Sequence, residues 1–181
     1  MTEPGEARFD RLWADHAAAV VRYARRHVLP DDVEDVLAET FVVAWRRLDE
    51  IPESGLPWLL GVARGVSANV RRSRRRQGAL HERLVAVGEG EEPGLVDTWP
   101  LLQDGPTLAA LHALSDADRE LLTLLAWDGL TQEEAAEALG CSRGALKVRL
   151  HRARRRFAQL VDPPRDVTVE RRPAPQPGGT P

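Results

Sequence analysis

The sequence predicts an all-α protein: two small helical domains, residues 6–77 and 106–161, joined by a flexible acidic linker at 78–105. Three observations carry this. Aromatic residues make up only 5% of the chain while alanine and leucine abound, a composition that favours helices over sheets. Apolar residues recur at helical spacing on both sides of the proposed linker. The stretch between them turns to glycine, proline and acid, with six acids and one arginine over residues 82–104. At 181 residues and 43% hydrophobic content, the chain can build one core or two small ones.

The first helix follows from Phe9, Leu12, Trp13, His16, Ala17, Val20, Val21 and Ala24, which share one stripe. Pro30-Asp31-Asp32 ends it. The second helix takes Asp31 as N-cap with Glu34 three residues on, a capping-box arrangement. Val33, Val36, Leu37, Thr40, Phe41, Ala44 and Trp45 form its apolar stripe, which ends near Leu48. Proline and glycine make residues 49–57 a loop. Trp58, Leu59, Val62, Ala63, Val66 and Val70 mark a third helix that runs into Arg71–Arg76. After the linker, Ser115 with Asp118 caps a helix carrying Leu121, Leu122, Leu124 and Leu125, which Gly129 stops. Thr131 and Glu134 form the next capping box, and Ser142 caps the last helix. From Asp162 the chain is a Pro-rich tail, expected to be disordered.

Several function classes lose support. Cys141 is the sole cysteine, so no intramolecular disulfide or thiolate zinc site can form, and the five histidines show no metal-ligand spacing. No signal peptide is visible, and no apolar run reaches the roughly 20 residues of a membrane span. The expected compartment is the cytoplasm.

Charge is the most informative feature. The net charge is -3, yet no acid occurs between Glu137 and Asp162, where eight arginine, lysine and histidine side chains crowd one helix. Two helices joined at Gly140-Cys141, with Ala135 and Ala136 at the crossing, form a helix-turn-helix signature. At 100° per residue, Leu146, Leu150, Ala153 and Phe157 fall within about 60° of one another and form the buried face. Gly144, Lys147, Val148, His151, Arg152 and Arg155 lie opposite, with Arg143, Arg149, Arg154 and Arg156 on the flanks. This suits a recognition helix in a major groove. Lys147 and Arg152 carry donors for guanine O6 and N7, Val148 an apolar surface for a thymine methyl, and the flanking arginines would meet phosphates.

In order along the chain, DDVEDVLAETFVVAW (Asp31–Trp45), IPESGLPWLLGVARGVSANVRRSRRR (Ile51–Arg76) and LSDADRELLTLLAWDGLTQEEAAEALGCSRGALKVRLHRARRRF (Leu114–Phe157) resemble a bacterial sigma factor of the extracytoplasmic-function type, a member of the sigma-70 family that keeps only regions 2 and 4. The resemblance covers residues 6–77 and 106–161. It implies a non-enzymatic protein without cofactor or metal. Such a protein would give core RNA polymerase its promoter specificity, with region 2 on the β′ clamp helices and region 4 on the β flap. Promoter DNA would be its second partner and an anti-sigma factor a candidate third. In holoenzyme it would sit on the nucleoid.

The resemblance also implies sites. Asp32, Glu34, Asp35 and Glu39 would dock on polymerase, with Phe41 and Trp45 in the core. The loop Ile51–Gly55, with Glu53 and Ser54, would form the pocket for a flipped base of the −10 element. Arg64, Asn69, Arg71, Arg72, Arg74, Arg75 and Arg76 would hold the non-template strand, while Trp58 is expected in the core. Lys147, Val148, His151 and Arg152 would read −35 bases, and Ser142, Arg143, Arg149, Arg154 and Arg155 would hold phosphates. The acidic linker resembles the one that runs along the polymerase channel in this family. Two departures stand out. Many family members have Asn at the position of Gly65, and Ser or Thr at the positions of Ala145 and Val148. Two alternatives remain at this level. One is a stand-alone regulator resembling the LuxR type, which would need neither the acidic helix nor Arg71–Arg76. The other is an enzyme, for which the acids at 31–39 lack converging acid/base partners.

Overall fold

The structure, a computed structural model, describes residues 4–84 and 105–162. Most of the expected linker and nearly all of the Pro-rich tail lie outside the described residues. Among the described residues there are seven α-helices and no strand. They are α1 (Pro4–Arg25), α2 (Val33–Arg46), α3 (Leu56–Leu84), α4 (Pro106–His112), α5 (Asp116–Ala126), α6 (Gln132–Ala138) and α7 (Arg143–Val161). None is long and apolar enough to cross a membrane.

α1, α2 and α3 pack as a three-helix unit around Val20, Ala24, Val36, Phe41, Ala44, Leu59, Leu60 and Ala63, each at most 2% exposed. α3 continues through Arg71–Arg76 to Leu84, into the stretch expected as linker. Arginine, glutamine and alanine are good helix formers, and no proline interrupts them before Pro93.

The start of α2 differs from expectation. Pro30–Asp32 forms a 3₁₀ turn that flows directly into Val33, so Asp31 is not an N-cap and no capping box forms. Asp32 holds the boundary position with helical angles (φ -93°, ψ -7°) and makes no side-chain cap bond. A cap needs an extended residue before the helix, and the proline-led turn supplies none. The Asp32 carboxylate instead accepts two hydrogen bonds from Arg74 on α3, at 2.6 and 2.7 Å. A guanidinium fork is the stronger partner.

The second correction concerns Trp45. Phe41 is buried as expected, at 2% exposure, but Trp45 is 49% exposed. Phe9 of α1 meets the Trp45 ring edge-on at 5.1 Å and covers only one side. Trp13 packs against Phe41 at 4.6 Å between ring centroids and is itself 43% exposed.

The second unit is capped where its residues predict. Ser115 Oγ accepts the Asp118 amide at 3.3 Å, and Ser142 Oγ accepts that of Ala145 at 3.2 Å. Thr131 Oγ1 accepts the Glu134 amide at 3.2 Å, while Glu134 accepts the Thr131 amide at 2.8 Å, a complete capping box. The Thr131 amide, followed by the Thr131 side chain, holds the Glu134 carboxyl below its usual range. Thr131→Ala is therefore expected to cost about 1 kcal/mol and Thr131→Ser close to nothing, read from urea unfolding followed by circular dichroism.

The two units do not stand apart. α6 packs on α3, and Leu121, Leu124, Leu130, Ala135 and Ala138 join the α1–α3 residues in one continuous apolar cluster.

Candidate nucleic-acid interface

α6 and α7 are joined at Leu139–Ser142, with Gly140 at φ 62°. Ala135 and Ala136, at 0% and 6% exposure, let the helices cross closely. Leu146, Leu150 and Ala153 are buried and Phe157 is partly covered, so the wheel assigned the inner face correctly. Lys147, Val148, His151, Arg152, Arg154 and Arg155 are exposed, Val148 at 51%. None of the five polar ones is held by an ion pair or hydrogen bond among the described residues. The structure thus brings all four expected base-reading residues onto one open surface. No acid lies on it.

The flanking residues are engaged to different degrees. The Ser142 hydroxyl caps α7. Arg143 pairs with Glu133, but both side chains are more than 60% exposed, so the pair is weak and open to exchange for a phosphate. Arg149 Nη2 donates to the Ala117 carbonyl at 3.4 Å. Arg156 pairs with the nearly buried Asp118 and ties α7 to α5.

On the first unit, the loop Ile51–Gly55 is anchored at both ends. Arg8 Nη2 donates to the Ile51 carbonyl at 2.6 Å, and the Ile51 side chain is buried. Gly55 has φ 56°, and a β-carbon there would lie 2.7 Å from Leu12 Cδ2, so only glycine fits. Between the anchors, Glu53 and Ser54 face solvent. Trp58 packs against the core as expected, with the Arg47 guanidinium 5.7 Å above its ring.

The α3 residues expected to hold a DNA strand are scattered among partners. Arg64 pairs with Glu120, Arg71 donates to the His27 carbonyl at 3.5 Å, Asn69 accepts from Arg72, and Arg74 pairs with Asp32. Arg75 and Arg76 alone of this arginine set are exposed and unengaged among the described residues. Of the expected polymerase-docking acids, Glu34, Asp35 and Glu39 are exposed on α2, whereas Asp32 turns to Arg74. A β-carbon at Gly65 would meet nothing within 4 Å.

Sequence reasoning missed two groups. Trp13, Val42 and Trp45 are 43–49% exposed on α1 and α2, the latter helix also carrying Glu34, Asp35 and Glu39. The signal was present, since the two apolar stripes carry four large aromatics between them, Phe9, Trp13, Phe41 and Trp45, more than one small core needs. The second group joins the two units: Tyr23, Arg26 and Arg64 with Glu120 and Asp128. Nothing in residue spacing points to it. Tyr23 donates to Glu120 Oε1 at 2.6 Å, and burial, followed by the Glu120 charge, pushes its hydroxyl well above the usual range. His27 stacks on Tyr23 at 4.0 Å, and burial depresses its pKa to about 4. Burial raises the Asp128 carboxyl, against the pull of Arg26.

Residues 12–77 match the family described as Sigma-70 region 2, and residues 106–157 match Sigma-70, region 4. The RNA polymerase sigma factor CnrH of Cupriavidus metallidurans is 34% identical over 165 residues, covering 85% of this chain and 86% of the relative. The solved structure of CnrH in complex with the cytosolic domain of CnrY aligns with a TM-score of 0.57 at 30% identity, over 85% of this chain and 87% of that one. The sigma factor RpoE of Bartonella quintana, solved in complex with the anti-sigma factor NepR, shares the fold, with a TM-score of 0.60 at 24% identity over 87% of this chain and 98% of that one. With both regions matched in order and their helices in place, the chain belongs to the sigma-70 family as a sigma factor of the extracytoplasmic-function group, acting in promoter-specific transcription initiation by RNA polymerase.

Proposed function

We propose that this sigma factor reads its −35 element through α7, captures a flipped −10 base at the Ile51–Gly55 loop, and docks on core polymerase through α2. The observation that supports this best is the free face of α7. Lys147, His151 and Arg152 project beside Val148 with no partner among the described residues, while the opposite face is buried. A solvated structural helix would more often neutralise such a row with acids. The arrangement leaves donors ready for base edges, flanked by Arg143, Arg149, Arg154 and Arg155 for phosphates.

Region 2 supplies the second reading element. The exposed tip Pro52–Ser54, tied down at Ile51 by Arg8, would form one wall of a base pocket, and Arg75 and Arg76 offer positive charge roughly 30 Å further along α3. Glu34, Asp35 and Glu39, with the exposed Trp13, Val42 and Trp45, give α1 and α2 the acidic and aromatic character of a protein-docking surface. The β′ clamp helices would take this surface and the β flap region 4. The protein performs no chemistry of its own, works in the cytoplasm on the nucleoid, and is a candidate for control by an anti-sigma factor, as RpoE is solved with NepR.

Transcription in vitro tests this. Sigma-free core polymerase with the purified protein, on a genomic DNA library, should yield discrete new start sites that share a −10 and −35 pair. Failure to bind core, with tight operator binding by the protein alone, would instead make it a stand-alone regulator. A further outcome concerns Gly65. Because the space there is open, Gly65→Asn should fold at least as stably and bind single-stranded −10 DNA several-fold more tightly. A fluorescence anisotropy titration showing no gain would mean that the backbone path differs here.

A further inference from the structure

α1 lays one face beneath the loop Ile51–Gly55. Arg8, Leu12 and His16 follow one another at intervals of four and so share that face. The first two fix the loop. The Arg8 guanidinium donates to the Ile51 carbonyl at 2.6 Å, and Leu12, 7% exposed, fills the space under Gly55. His16 comes next along the row. Its Nε2 and Cδ2 atoms lie 3.1 and 3.3 Å from where a β-carbon on Gly55 would sit, so the ring turns that edge to the loop. The ring is half-buried, and neither nitrogen has a hydrogen bond or ion pair among the described residues. Neither is sealed from solvent.

For packing alone, an imidazole is a poor choice of floor. A polar group taken partly out of water costs stability unless it finds a partner, and a leucine or methionine would cover Gly55 without that cost. The loop backbone gives His16 no partner. The Ile51 carbonyl is taken by Arg8, the Gly55 amide by the Pro52 carbonyl at 3.0 Å, and the Leu56 amide by the Ser54 carbonyl. With those groups occupied, a base entering beside Gly55 must be met largely by side chains. Glu53 and Ser54 stand exposed at the tip, and His16 is the polar side chain against Gly55. Imidazole can donate at one ring nitrogen and accept at the other. Each base edge offers a different order of donors and acceptors, so an imidazole held in place fits some bases better than others.

We propose that His16 forms the floor of the −10 base pocket and hydrogen-bonds the edge of the captured base, so that α1 as well as the loop decides which base is accepted. This rests on the proposed capture of a flipped base at Ile51–Gly55. The roles then divide along α1. Arg8 and Leu12 are positioning residues that hold the loop, whereas His16 touches the base and sets specificity. Glu53 and Ser54 form the rim above it.

A randomised pool of single-stranded DNA, selected on the full chain, gives the preferred oligonucleotide. Fluorescence anisotropy at fixed salt then compares it with copies that carry another base, or no base, at one position at a time. Removing one particular base should weaken the parent. His16→Phe keeps an aromatic ring but neither ring nitrogen. It should lose about two- to tenfold in preference at that position, the worth of one hydrogen bond, yet bind the abasic copy as the parent does. His16→Asn keeps a donor and an acceptor on a shorter side chain and should retain part of the preference. Circular dichroism shows whether each variant keeps its helices. Parent-like preference in every variant that folds would overturn the proposal. Equal weakening on the abasic copy would also overturn it, since His16 would then only support the shape of the loop. If no abasic position weakens the parent, no base is captured, and the reading of the loop as a base pocket fails before the assignment of His16 is reached.

Discussion

Leu146→Ala and Lys147→Ala, one residue apart, should fail in opposite ways. Leu146 is fully buried between α7 and the rest of region 4. Its truncation removes buried methyl groups and leaves a cavity, at an expected cost of about 3–5 kcal/mol. For a small helical unit that is a large share of its stability, so −35 binding should disappear along with the fold. Lys147 is exposed, without a partner among the described residues. Its truncation should leave the urea midpoint unchanged and cost about 1–3 kcal/mol of discrimination at one base position, a five- to 150-fold loss. The measurements are urea unfolding and a selected-site binding profile at fixed salt. A Lys147→Ala profile weakened uniformly at all positions would reassign this residue to a phosphate. An unchanged profile would remove it from the interface.

Stability should fall as pH drops from about 6.5 toward 4, and His27 is the reason. Its folded pKa of about 4 lies below the ordinary 6.5, so in that window the unfolded chain binds a proton that the native protein does not. The stabilisation is fully present above the unfolded value and is lost as pH falls toward the folded one. The full shift corresponds to at most about 3 kcal/mol. Part of the ring still reaches solvent, so about 1–2 kcal/mol is expected. The groups around it are Tyr23 beneath the ring, Arg26 and Arg71, which oppose its protonation, and Glu120, which favours it. Asp128 works in the opposite sense. Its raised pKa means that the native state takes up a proton before the unfolded state does, which relieves part of the loss at the acid end. Urea unfolding from pH 7 to 4.5 should therefore slope downward, and His27→Gln should flatten the slope between pH 6.5 and 5. An equal slope in that variant would place the effect on other groups.

Much of this was written locally in the chain. The caps at Ser115, Thr131 and Ser142 and the buried face of α7 rest on interactions within a few residues or on one helix's periodicity. Such features are readable because 3.6-residue spacing and capping chemistry act over short stretches. The order of motifs then carried the family. Other features depended on what lies opposite. Asp31 has the residue type of a cap, but the proline-led turn before α2 and the reach of Arg74 decided otherwise. Trp45 continues the stripe of Phe41, yet α1 covers only one side of it.

By itself the sequence determined six of the seven helical segments and the buried face of the last one, because those follow from composition and short-range period. Only the tertiary structure decided that Glu120 and Asp128 meet Arg64 and Arg26 across the two units, and that α6 lies against Gly61. Partners 56 and 102 residues apart share no local pattern, so no spacing rule can pair them before the chain has folded.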